Sequence, residues 1–101
     1  MATVRLVVNF RVKPGRYADL LEGLKAVKKN IERLGSTFYV NRVAVGNDVG
    51  HLIAVGQYAD FAAWAKAASD AELIKLVDAM RNNPNPPWES LTTGLVEEVP
   101  L

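Results

Sequence analysis

Residues Thr37–Tyr58 read TFYVNRVAVGNDVGHLIAVGQY, and the architecture of the whole chain hangs on this stretch. Val40, Val43, Val45, Ile53 and Val55, with Phe38, Tyr39 and Tyr58, are the β-branched and aromatic residues that strands favour. Between them, Gly46-Asn47-Asp48-Val49-Gly50 has the backbone freedom of a reversal. The stretch therefore predicts a β-hairpin. With Gly46 set opposite Gly50, the expected pairs on one face are Val45–His51, Val43–Ile53, Asn41–Val55 and Tyr39–Gln57. The other face then carries Ala44–Leu52, Arg42–Ala54, Val40–Gly56 and Phe38–Tyr58. A sheet with one wet face alternates cleanly between apolar and polar residues. This hairpin does not, so both of its faces call for cover.

Working outward, Thr3–Val12 predicts a first strand with Val4, Leu6, Val8, Phe10 and Val12 on one face and Thr3, Arg5, Val7, Asn9 and Arg11 on the other. Lys13-Pro14-Gly15 ends it, because proline donates no ladder hydrogen bond. Arg16–Leu34 is the clearest helix: Tyr17, Leu20, Leu21, Leu24, Val27, Ile31 and Leu34 recur at three- and four-residue steps, and Gly35 stands where a left-handed cap is wanted. On the far side of the hairpin, Asp60 is a good N-cap for a helix over Phe61–Ala68. Ser69-Asp70 breaks that helix or caps a second one over Ala71–Arg81. The connector Asn82-Asn83-Pro84-Asn85-Pro86-Pro87 cannot be helical, and Glu89–Val99 predicts a last strand with Leu91, Thr93, Leu95 and Glu97 on one side.

The chain has 101 residues, half of them hydrophobic, which suits one domain over 1–101 with a real core. A formal net charge of +1 points to no nucleic acid and no acidic partner. The absence of cysteine excludes disulfides, thiol catalysis and cysteine metal sites, and one histidine cannot build a nitrogen/sulfur metal centre. No glycine-rich phosphate loop is present, so no nucleotide cofactor is indicated. No basic segment followed by a long apolar run appears, so neither a signal peptide nor a membrane span is expected, and a cytoplasmic location follows by default. Lys25, Lys28, Lys29 and Arg33 are interspersed with acids and read as a solvated helix face.

The order strand, helix, strand, strand, helix, strand is the ferredoxin-like arrangement, an α+β fold with a four-stranded antiparallel sheet and helices on one face. In Phe10-Arg11-Val12-Lys13-Pro14-Gly15, Tyr58-Ala59-Asp60-Phe61-Ala62-Ala63-Trp64 and Ala68-Ser69-Asp70-Ala71-Glu72-Leu73 the chain resembles the dimeric α+β barrel superfamily, and is similar to its antibiotic-biosynthesis-monooxygenase-type domains. The resemblance implies a homodimer in which helices cover one sheet face and a twin subunit covers the other. An interface of about 800 Å² per subunit would be of standard size. The superfamily holds cofactor-independent quinone-forming monooxygenases, haem-degrading enzymes and isomerases. In the monooxygenase branch a histidine often follows the break in the second helix; here that region reads Ser69-Asp70-Ala71-Glu72. Haem-degrading relatives pair a first-strand asparagine with a helical histidine, whereas Asn9 faces away from the helices and His51 is on a strand.

The candidate ligand-binding residues are Arg42, Tyr58, Trp64 and His51. Arg42 shares a face with Ala44, Ala54 and Gly56, whose small side chains leave space for a planar anion beside the guanidinium; otherwise it reaches the sheet edge or pairs with a carboxylate. Trp64 either stacks on an aromatic ligand or is plain core. His51 is a base or a solvated strand-end side chain. Trp88 anchors the last segment or the dimer, and Tyr39, Asn41, Asn9 and Gln57 either line the barrel or satisfy one another. The expected function is binding of a small aromatic or acidic molecule between helices and sheet. The alternatives are a cofactor-independent monooxygenase or isomerase, and a structural module without a ligand.

Overall fold

Strand β1 (Val4–Val12) leads into helix α1 (Tyr17–Arg33), then β2 (Thr37–Arg42), β3 (Leu52–Tyr58), α2 (Phe61–Ala68), α3 (Ala71–Arg81) and β4 (Trp88–Glu97). The structure, a computed structural model, describes residues 2–101; Met1, the first position of the expected domain, lies outside the described residues. The four strands form one antiparallel sheet in the order β2-β3-β1-β4. This is the ferredoxin-like α+β arrangement, with the second helix broken into α2 and α3.

The local chemistry accounts for the boundaries. Beyond Val12, the Lys13 amide donates to the Pro87 carbonyl at 2.9 Å, which ties the start of the β1–α1 turn to the proline-rich connector. Helix α1 ends in a Schellman arrangement. The Ser36 amide reaches the Ile31 carbonyl at 3.1 Å and the Gly35 amide the Glu32 carbonyl at 3.0 Å, with Gly35 at φ +86°. Asp60 caps α2 through the Ala63 amide at 2.8 Å. Asp70 caps α3 through the Leu73 amide at 3.0 Å, so the predicted break is a second helix start. The same Asp70 carboxylate holds Arg33 of α1 at 2.6 Å, and Arg33 also meets Glu72 at 3.1 Å.

The hairpin register differs from the expected one by two residues. Arg42 pairs with Leu52, Val40 with Ala54, Phe38 with Gly56 and Tyr39 with Val55. Gly46 (φ +118°) and Gly50 (φ +89°) do not oppose one another; each bends the loop separately. The loop closes where the Gly50 amide donates to the Val43 carbonyl at 2.9 Å and the Val43 amide to the His51 carbonyl at 3.0 Å. The strands are shorter than the sequence suggested, and Val43–His51 lies outside them. A slip of two leaves every side chain on its predicted face, because the side-chain period is two.

One face is covered by helices. Leu20, Leu24, Val27 and Ile31 of α1 are buried, and all four join Phe10, Phe38, Leu52, Ala54, Tyr58, Ala67 and Leu73 in the core cluster. Helix α3 packs chiefly on α1, so the edge strand β4 stays exposed from Glu89 onward, Leu91 and Leu95 included. A bulge in β4 falls at Glu89, where the β1 register shifts between Arg11 and Val12. The other sheet face carries Arg5, Val7, Asn9, Tyr39, Ile53, Val55 and Gln57 and has no covering element among the described residues. Among the described residues no helix is long and apolar enough to cross a membrane.

Candidate functional site

Because α3 leans on α1 rather than on β4, a gap remains between helices and sheet. It is a cavity of about 480 Å³. Leu6, Val8 and Phe10 of β1 and Ala54, Gly56 and Tyr58 of β3 form its floor, and Leu24, Val27 and Ile31 of α1 line it from above. Ile74, Asp78 and Arg81 of α3 face Leu91 and Thr93 of β4 across its rim, and all five are exposed. The cavity therefore opens between α3 and β4.

Tyr58 ends β3, and its ring folds back along the strand. A Cβ placed on Gly56 would lie 2.7 Å from the Tyr58 hydroxyl oxygen and 3.2 Å from its Cε2 and Cζ. Glycine is thus what lets the ring lie flat on the sheet. Tyr58 is only 2% exposed, and among the described residues no protein group hydrogen-bonds its hydroxyl. Desolvation by burial pushes its pKa above the ordinary tyrosine value, so the hydroxyl is neutral at physiological pH.

Two tryptophans also line the cavity. Trp64 comes from α2, and Trp88 opens β4 with its ring tilted 55° against Phe10 at a centroid separation of 5.4 Å. Tyr58 and Trp64, both predicted from sequence, are therefore brought together, with Trp88 as a third aromatic wall.

Arg42 and His51 are not part of this group. Arg42 keeps the predicted face but is the last residue of β2, is exposed, and is absent from the cavity lining. The cavity reaches Phe38 on that strand and goes no further along it. The guanidinium on the cavity lining is instead that of Arg81, at the rim. His51 sits before β3 with Nδ1 2.9 Å from the Asn9 side-chain oxygen, and Asn9 points to the uncovered face. On the same face Arg5 donates to Gln57 at 3.1 Å and meets Glu98 at 3.5 Å. Asn9 and Gln57 thus already have partners within the protomer.

Sequence reasoning named Gly56 as a space-maker on this face but missed its contact with the Tyr58 ring, and it missed Asp78 and Arg81. Signals for them existed. A glycine inside a strand marks a close approach, and Ile74, Val77, Asp78 and Arg81 follow one another at helical spacing on α3.

No protein-family model and no curated protein matches the sequence. Solved structures do match. The backbone is similar to SnoaB, a cofactor-independent oxygenase from Streptomyces nogalater, at TM-score 0.74 and 14% identity, covering 100% of this chain and 97% of that one. It is similar to a dabb-family protein with a ferredoxin-like fold from Mesorhizobium loti at TM-score 0.70 and 22% identity, covering 100% and 99%. An antibiotic biosynthesis monooxygenase gives TM-score 0.67 and 15% identity, covering 96% and 99%. The chain has the ferredoxin-like fold of these structures. At these identities the likeness is one of backbone, and the same fold supports several chemistries.

Proposed function

We propose that the protein binds a small aromatic molecule in the cavity between its helices and its sheet, and that it does so as a homodimer closed through the uncovered sheet face. The observation that carries the binding reading is the cavity itself. Its volume of about 480 Å³ falls in the usual range for small-ligand sites, and its walls combine apolar side chains with the rings of Tyr58, Trp64 and Trp88. The dimer reading is supported by Val7 and Ile53, half-buried apolar residues beside the buried Val55 on the two central strands, with no helix over them.

Thermal denaturation tests the binding reading. A quinol or phenol at 100 times its dissociation constant adds about 2.7 kcal/mol of stability. At least one member of a panel of mono- and bicyclic aromatics is expected to raise the melting temperature. A panel that shifts nothing refutes the reading and favours a structural module.

A second reading, a cofactor-independent oxygenase, is favoured by the backbone likeness to SnoaB. It is also favoured by Asp78, the one carboxylate on the cavity lining and so the available proton acceptor there. Dioxygen uptake on addition of a hydroquinone separates the two, since a binder consumes none.

A further inference from the structure

We propose that the Tyr58 hydroxyl is the recognition group of the cavity and that the ligand is a neutral aromatic bearing one hydroxyl or carbonyl oxygen, hydrogen-bonded to it. This rests on the binding reading above and narrows it. Tyr58 lies on the floor of the cavity, and its hydroxyl bonds no protein group among the described residues. No buried side-chain oxygen there is left without a partner, so this hydroxyl keeps its access to the cavity although the residue as a whole is 2% exposed. Its position is a built one: the hydroxyl lies over Gly56, where any larger residue would place a Cβ 2.7 Å away.

The other polar groups on the wall are differently placed. The indoles of Trp64 and Trp88 belong to half-buried residues, and Thr93, Asp78 and Arg81 are exposed at the rim, where water serves them. The floor around Tyr58 is Leu6, Val8, Ala54 and Gly56 and carries no charge. A carboxylate placed there would lose its hydration with no cation to replace it. A neutral oxygen loses far less and gains the hydroxyl as donor or acceptor. The raised pKa of Tyr58 keeps that hydroxyl protonated throughout the neutral range.

The test is calorimetric titration of the full chain, wild type and Tyr58→Phe, with naphthalene, 2-naphthol and 2-naphthoate. Wild type is expected to bind 2-naphthol about tenfold more tightly than naphthalene, and Tyr58→Phe to abolish that preference while binding naphthalene as before. The melting temperature of Tyr58→Phe without ligand should be no lower than that of wild type, since the hydroxyl has no bond to lose. Equal binding of naphthol and naphthalene by wild type, or a preference that survives in Tyr58→Phe, overturns the proposal and leaves the cavity reading standing. Tightest binding of 2-naphthoate overturns it too, by moving recognition to Arg81 at the rim. A lowered melting temperature in Tyr58→Phe shows a structural bond and overturns it as well. Failure of all three probes to bind refutes the cavity reading along with it.

Discussion

The two faces of the sheet are built from the same strands and solve burial in opposite ways. On the helix side nearly every side chain is apolar, and the Tyr58 hydroxyl, which bonds no protein group among the described residues, keeps access to the cavity. On the uncovered side polar residues are interleaved with valine and isoleucine, and four of them are joined in two pairs: Asn9 with His51 at 2.9 Å and Arg5 with Gln57 at 3.1 Å. A face whose polar groups satisfy each other can be closed by a flat apolar partner at little polar cost. A face that leaves one polar group open inside a cavity is suited to a molecule that completes it. The contrast fits the proposed second copy on the uncovered side and the proposed ligand on the covered side.

The contrast is broken most directly at the uncovered face. Wild type is expected to sediment as a pair at micromolar concentration, and Ile53→Glu to sediment as a folded single protomer, because two like charges would meet in a desolvated interface. A wild type that sediments alone removes the reason for an apolar strip on that side. On the covered face, Gly56→Ala should cost about 1–3 kcal/mol in chemical denaturation, since its Cβ must push the buried Tyr58 ring off the sheet. A neutral outcome would mean that the ring has room to move, and with it that the hydroxyl has no set place.

The smallest effect concerns the Arg33–Asp70 pair, which ties the start of α3 to α1. The hydrogen bond from Arg33, and after it that from the Leu73 amide, holds the Asp70 carboxyl below the usual carboxylate range. A folded-state pKa below the unfolded value, about 3.9, contributes stability that is present above that value and is lost as pH falls through the folded one. Asp70→Asn can still cap α3 but cannot pair with Arg33. Urea titrations from pH 7 to pH 2 should therefore show wild type slightly more stable near neutrality, with the two proteins converging in acid. The pair is exposed, so added salt should shrink the difference. A constant gap across the whole range would attribute the effect to the cap alone.

Much of this was legible in the residues. Val4, Leu6, Val8 and Phe10 announce a buried strand face, and Leu20, Leu24, Val27 and Ile31 announce the helix that covers it. Even the mistaken hairpin register kept Tyr58 on the helix side, because an even slip preserves parity. The position of Arg42 was not legible. Alternation says which way a side chain points, but not whether a helix extends over it. At the end of β2 the guanidinium stays in solvent. His51 was equally ambiguous until the register placed it beside Asn9.

The amino-acid sequence by itself determined the order of the elements, their caps and the facing of each strand. These depend on periodicities of two and 3.6 residues and on side chains that bond their own neighbouring backbone. The cavity was decided by tertiary structure alone. Empty space belongs to no residue; it lies where α3 packs on α1, to which Arg33 also ties its start, and leaves β4 bare beside it. Where packed elements fail to meet is a property of their relative placement, and no local pattern encodes it.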